Sequence, residues 1–150
     1  MKATAVIQVR MGSTRFPGKI MMKLDDKFTV LDYVIRQLGH SKLLENIIIA
    51  TTNLEQDDII VQYAKDNDLA YFRGEVLDVL DRYYQCAKKF SLDVIVRMTS
   101  DAPFLDPTVV DEVISKFQET GCDFASNNIT RTFPIGIDTG IFSMKTLEKT

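Results

Sequence analysis

Tryptophan is absent, histidine occurs once (His40), and cysteine occurs only twice, at Cys86 and Cys122. Two cysteines make no disulfide framework. One His and two separated Cys cannot build a zinc site of the Cys/His kind, so any metal must be oxygen-ligated. The lone His follows a helical pattern, far from any strand end, which leaves no Ser-His-Asp or Cys-His arrangement. Long apolar runs are missing too: none approaches the roughly 18 residues of a membrane span, and mean hydropathy is −0.03. There is no excess of positive charge. Lys+Arg is 18 against Asp+Glu 21, a net charge of −3, with a pI near 5.1, so a nucleic-acid-coating protein is excluded. Met1-Lys2 starts like a signal peptide, but the apolar stretch from Ala3 to Val9 is short and runs into Arg10 without a cleavage site. The expectation is a cytoplasmic chain whose thiols act as small buried hydrophobes, with no nucleic-acid or membrane partner.

What is present is an ordinary globular balance: 150 residues, 45% hydrophobic and 26% charged. That length and the lack of a linker predict one domain over 1–150. Residues 4–9 read as a first strand, the short apolar runs at 46–51 and 93–98 as strands buried on both faces, and 70–72 as a short strand. Between them, apolar residues recur at helical spacing. Leu31, Val34, Ile35 and Leu38 mark one helix. Ile59, Ile60, Tyr63 and Ala64 mark the inner side of another over 55–67. A third covers 76–90, in which only one of Tyr83 and Tyr84 can face the core. Pro107 opens a fourth, Val109, Val110, Val113, Ile114 and Phe117 form its stripe, and Gly121 ends it. The β-α-β-α order predicts a mostly parallel sheet with helices on both faces, an α/β/α sandwich. Residues 131–142 read as an extended excursion rather than a covered strand. A last helix starts at Met144 and runs to the end without a C-terminal signal, which suggests a truncated pattern.

In such sheets ligands bind beyond the carboxyl ends of the strands, where the strand order reverses. The loop after the first strand, Arg10-Met11-Gly12-Ser13-Thr14-Arg15-Phe16-Pro17-Gly18-Lys19, carries three cations, two glycines and two hydroxyls. Backbone N–H groups there can cradle an anion, Arg offers a planar fork and Lys a point charge. It is neither a Walker A loop nor a dinucleotide fingerprint. The loop after the fourth strand holds Asp101, well placed to bind Mg²⁺ together with substrate phosphates, while Asp106 before Pro107 suits a helix cap. Arg82, in Asp81-Arg82-Tyr83-Tyr84, could reach a ribose or phosphate or could form a helix-surface ion pair. Asp138 is a turn residue unless it joins Asp101 as a second metal ligand. The run Glu55-Gln56-Asp57-Asp58 reads as structural, favoured by a helix dipole.

Together Ile7-Gln8-Val9 with the following loop, Ile49-Ala50-Thr51-Thr52, Phe72-Arg73-Gly74, Asp78 to Tyr84, and Arg97-Met98-Thr99-Ser100-Asp101-Ala102-Pro103 resemble the sugar cytidylyltransferases of the acylneuraminate and KDO type. The resemblance is strongest to their SpsF-like spore coat polysaccharide branch and spans nearly the whole chain. It implies the nucleotide-diphospho-sugar transferase fold, a Rossmann-like sandwich. It also implies transfer of CMP from CTP to a sugar hydroxyl, with Mg²⁺ and release of pyrophosphate, for polysaccharide biosynthesis. By the same resemblance Arg15 and Lys19 are catalytic. Gln8, Arg10, Gly12, Ser13, Arg15, Lys19, Asp81 and Arg82 bind the nucleotide, and Asp101 and Asp138 bind the metal.

The sequence departs from the family pattern in places. Val9 stands where Ala is usual, and Ser100 and Ala102 stand where Gly and Cys usually flank the aspartate. Ile135 and Gly140 stand where acidic residues are more common. Family chains also run further, so a C-terminally shortened domain is expected, and the apolar residues of 131–143 suit a homodimer contact. Two other readings compete: a glycosyltransferase-like enzyme consuming a nucleotide-sugar, which the absence of an Asp-x-Asp motif disfavours, and a non-catalytic nucleotide-binding subunit.

Overall fold

A computed structural model describes residues 2–150. The first strand, β1 (Ala3–Gln8), is buried along its length. Helix α1 (Val30–Leu38) starts in a capping box, with the Thr29 side chain accepting from the Asp32 N–H and the Asp32 carboxylate accepting from the Thr29 N–H. Strand β2 (Leu44–Thr52) and a 3₁₀ turn at Glu55–Asp57 lead into α2 (Asp58–Asp66). Then come β3 (Ala70–Gly74), α3 (Val79–Lys89) and β4 (Val94–Thr99). Helix α4 (Pro107–Thr120) is capped by the Asp106 side chain at its start and by Gly121, at φ 60°, at its end. Strands β5 (Phe124–Ser126) and β6 (Gly140–Ser143) and the single turn α5 (Met144–Leu147) follow.

Among the described residues the sheet order is β3-β2-β1-β4-β6-β5. The first four of these strands run parallel, and β6 pairs antiparallel with both β4 and β5. β1 therefore has parallel neighbours on both sides, and the chain leaves it first in one direction and later in the other. The carboxyl ends of β1 and β4 bound the crevice where that reversal occurs.

Side chains alternate between two cores, as the period of a strand requires. Ala5 and Ile7 of β1, with Val94, Val96 and Met98 of β4, meet buried residues of α1, α2 and α4. Val6 and Ile95 face the other way, onto Tyr83, Cys86 and Ala87 of α3 and Leu147 of α5. This is the expected sandwich. No helix among the described residues is long and apolar enough to cross a membrane.

Three details differ from the sequence reading. Ile59 does not face the core but is exposed, while Ile60, Val61 and Ala64 are buried. The tight 3₁₀ turn ahead of α2 shortens the helix and rotates its apolar stripe by one position. α3 starts at Val79 rather than 76, because the Asp78 side chain accepts from the Asp81 N–H and stops the helix there. The excursion 131–142 contains a true strand at its end: Ile141 is fully buried and Phe142 nearly so. Spaced turn residues hide that strand in the sequence. What orders it is the free edge of β4, whose backbone groups need partners. Ile141→Ala should therefore cost about 2–5 kcal/mol in urea unfolding. Ile135→Ala, at a residue 85% exposed, should stay within about 0.5 kcal/mol.

Candidate functional site

The loop after β1 folds back on itself. The Gly18 N–H donates to the Met11 carbonyl at 2.9 Å, the Ser13 N–H to the same carbonyl at 3.0 Å, and the Phe16 N–H to Ser13 Oγ at 3.3 Å. Gly18 takes φ +72°, a conformation that costs a residue with a Cβ, and starts the 3₁₀ turn that carries Lys19. Gly12 lies close to Gln56: a Cβ there would come 2.9 Å from Nε2, the far end of a side chain that can swing aside.

Lys19 Nζ then donates to Asp101 Oδ2 at 2.8 Å. This bond joins the loop after β1 to the loop after β4 across the switch point. It is also the main reason the Asp101 carboxyl sits below its ordinary value of 3.8, against the opposing effect of partial burial. Around the pair lies a cavity of ≈ 220 Å³ lined by Gln8, Arg10, Gly12, Ser13, Arg15 and Thr99, among others. Arg10 and Arg15 have no hydrogen bond or ion pair among the described residues, so their guanidinium groups are free to meet an anion. A larger cavity of ≈ 550 Å³ lies at the opposite, amino-terminal end of the sheet, lined by residues such as Leu38, Leu44, Glu45 and Asp68. It offers no cation, so it is the wrong chemistry for a phosphate.

The other sequence candidates fall elsewhere. Asp138 is held by Arg131 through contacts of 3.3 and 3.5 Å. It lines a neighbouring cavity that also includes Asp101. No group of three or more His, Cys, Asp or Glu able to hold a metal occurs among the described residues. Asp81 accepts from Gln85 Nε2 at 3.0 Å and lines a separate groove with Leu80, Tyr84 and Leu147. Arg82 forms no surface ion pair; it is 1% exposed. Its Nε and Nη2 donate to the Glu75 carbonyl and Nη2 also to that of Val76, while Nη1 is buried without a partner. Burial first, and the neighbouring Arg10 second, pull the Arg82 pKa down. Arg82 thus shapes the turn after β3 from beneath.

Asp57, structural as its sequence position suggests, acts through a partner the sequence did not indicate. It stands at the amino end of α2, yet its side chain does not cap that helix. It is fully buried. One oxygen accepts from the Met11 N–H at 2.7 Å, and the other accepts from the Thr52 hydroxyl. Arg73 clamps the same turn from β3, donating to the carbonyls of Thr52 (2.8 Å) and Leu54 (2.7 Å) and to Asp58 Oδ1 (2.6 Å). The signal available in the sequence was an Asp doublet just beyond the carboxyl end of a buried strand.

A mostly parallel sheet covered on both faces, with a cationic loop at its switch point, defines a doubly wound α/β domain with a crevice suited to an anion. The chain belongs to the cytidylyltransferase family, whose model matches residues 4–148. The solved structure of a cytidylyltransferase from Leptospira borgpetersenii is 39% identical and superposes with a TM-score of 0.93, covering 99% of this chain and 63% of that one. An uncharacterized protein of Methanocaldococcus jannaschii is 36% identical over 99% of this chain and 60% of its own length. The spore coat polysaccharide biosynthesis protein SpsF of Bacillus subtilis is 36% identical over 79% of this chain and 51% of its own. The chain thus spans little more than half the length of these two curated relatives.

Two outcomes follow from the geometry. Lys19→Met removes the bond that holds Asp101 down, so the Asp101 carboxyl should titrate nearer its ordinary 3.8, read by carbon NMR shifts. The sign follows: the contact stabilises the fold above that ordinary value and fades as pH falls through the depressed one. Asp57→Ala strands a buried N–H and a hydroxyl, and should cost about 1–3 kcal/mol in urea unfolding.

Proposed function

We propose that the protein is a CTP-dependent sugar cytidylyltransferase of the cytoplasm, transferring CMP to a sugar hydroxyl for polysaccharide synthesis and releasing pyrophosphate. The observation that carries this is the Lys19–Asp101 bond, which closes a cavity holding the unpaired Arg10 and Arg15 at the switch point of a cytidylyltransferase-family fold. In an acidic chain, concentrated positive charge there suits a free triphosphate. Gln8, Arg10, Gly12, Ser13, Arg15 and Lys19 would bind the nucleotide, with Arg82 supporting the turn beneath it. Asp81 has no observed link to this cavity and carries no role in the reading.

In the reaction a bond forms between the sugar oxygen and the α-phosphorus as the bond from that phosphorus to pyrophosphate breaks, and the hydroxyl proton passes to solvent. Negative charge shifts onto the departing oxygens. Arg15 and Lys19 would offset it, and fixed charges in such a site act strongly because they need not reorganise.

The donor set fits Mg²⁺ brought with the nucleotide. Mg²⁺ takes one or two carboxylates with substrate phosphates and waters, and Asp101 on the cavity wall would offer it an oxygen once Lys19, which holds Asp101 Oδ2, turns to the phosphates. Bound there, the ion would neutralise triphosphate charge. Asp138 is taken up by Arg131, so it would serve as a second ligand only after that pair opens. A homodimer contact through 131–143 is part of the same reading. Ile135 remains 85% exposed to make it, although Ile141 and Phe142 are spent on the core. Ile135→Glu should then shift the sedimenting species from dimer to monomer, and a wild-type monomer would sink this contact.

The test is a calorimetric titration with CTP, with UTP and ATP as controls, with and without Mg²⁺. CTP should bind saturably and preferentially. Lys19→Ala and Asp101→Ala should each lower turnover by about 10²–10³-fold or more with the fold intact by circular dichroism. Turnover within about tenfold of wild type would remove the assigned role. A folded protein that binds no nucleotide would instead favour a non-catalytic subunit.

A further inference from the structure

Residues 10–19 carry three cations, yet none of these residues is buried. Within this stretch only the Met11 side chain packs against the core. Met11 is also the residue from which the loop hangs. Its carbonyl accepts from the N–H groups of Ser13 and Gly18 and so closes the loop into a ring. Its own N–H points the other way and donates to Asp57 Oδ1 at 2.7 Å, across 46 residues of chain. Among the described residues, no other hydrogen bond ties residues 11–18 to the chain beyond Met21.

Asp57 gives up an ordinary role to make this contact. It is the N-cap residue of α2, where an Asp side chain commonly accepts from the first turn of its own helix, and here it makes no such bond. It is fully buried and forms no ion pair among the described residues. A buried acidic group is costly unless it is paired and hydrogen-bonded. A cap would serve α2 better; the carboxylate serves the loop instead. Its second oxygen accepts from the Thr52 hydroxyl, and the Thr52 carbonyl is held in turn by Arg73 Nε at 2.8 Å. Asp57 thus joins the ring to the carboxyl end of β2, the strand paired with β1. Gln56 lies alongside Gly12, so the turn before α2 meets the ring at two successive residues, Met11 and Gly12. The same loop brings Arg10, Ser13 and Arg15 to the cavity that holds Lys19.

We propose that Asp57 is a positioning residue for the phosphates of the nucleotide: by holding the Met11 N–H it fixes the ring, and with it the cations and N–H groups the ring carries, before the ligand arrives. The proposal rests on the nucleotidyl-transfer reading above and adds to it a residue that touches no substrate and acts through Met11. A loop already in its bound shape loses less conformational freedom on binding, and the difference is expressed as affinity. Asp57 therefore acts on how tightly a polyphosphate is held, whatever base it carries.

The experiment titrates wild type and variants with CTP and with inorganic tripolyphosphate, at a temperature where circular dichroism shows each protein folded. Asp57→Ala should weaken both ligands about 10- to 100-fold, as for a lost hydrogen bond to a charged group. Asp57→Asn keeps an oxygen for the Met11 N–H and an amide for Thr52, and should recover most of that affinity. Val113→Ala truncates a buried side chain on α4, away from the loop, and should leave both affinities unchanged although it lowers stability. Where Asp57→Ala does not fold, Thr52→Val takes its place; it removes the hydroxyl bonded to Asp57 and should weaken both ligands about 3- to 10-fold. Wild-type tripolyphosphate affinity in Asp57→Ala, or in Thr52→Val used in its place, would overturn the proposal. So would an Asn variant no better than Ala, a loss confined to CTP, or an equal loss in Val113→Ala. A wild type that binds tripolyphosphate but not CTP would overturn the transfer reading and still test Asp57. A wild type that binds neither would leave nothing to position and overturn both.

Discussion

One bond organises the site: Lys19 Nζ on the Asp101 carboxylate. Its partners lie 82 residues apart in the chain and meet only because β1 and β4 are parallel neighbours whose carboxyl ends lie side by side. Parallel pairing sends both following loops to the same edge of the sheet, and the reversal of strand order opens a crevice between them. The ion pair closes that crevice and leaves Arg10 and Arg15 as unpaired charge in the cavity around it.

Buried polar groups hold this arrangement from below. A loop of hydroxyls, glycines and cations has little apolar surface of its own to keep it in place. Asp57 supplies the anchor by accepting from the Met11 N–H and from Thr52, and Arg73 pins the turn that carries Asp57. Arg82 does the same for the turn after β3. Burying a charge is costly unless it is paired and hydrogen-bonded, so these residues mark where the fold spends stability on the shape of its edge.

Much of the fold was legible in the chain because its signals are local. Three strands stand out as β-branched runs and a fourth as a short aromatic one, α4 shows both its Pro107 start and its Gly121 stop, and Leu31, Val34 and Leu38 mark the core side of α1. The cationic loop and Asp101 were legible for the same reason, since each directly follows a strand. Other features depended on partners remote in sequence. Ile59 turned outward because a 3₁₀ turn changed the phase of α2, and Gly140–Ser143 became a strand because β4 offered it an edge.

The sequence by itself determined the alternation of strands and helices, the position of the phosphate-type loop, and a net charge that makes that loop conspicuous. Periodicity, capping and turn chemistry are properties of a few adjacent residues, and they survive without the fold. Only the tertiary structure decided which charges meet. It gave Asp101 to Lys19 and Asp138 to Arg131, and sent Asp57 across to Met11 rather than onto its own helix. Pairing is settled by distances of a few ångströms between segments tens of residues apart, and those distances exist only once the sheet has set its order.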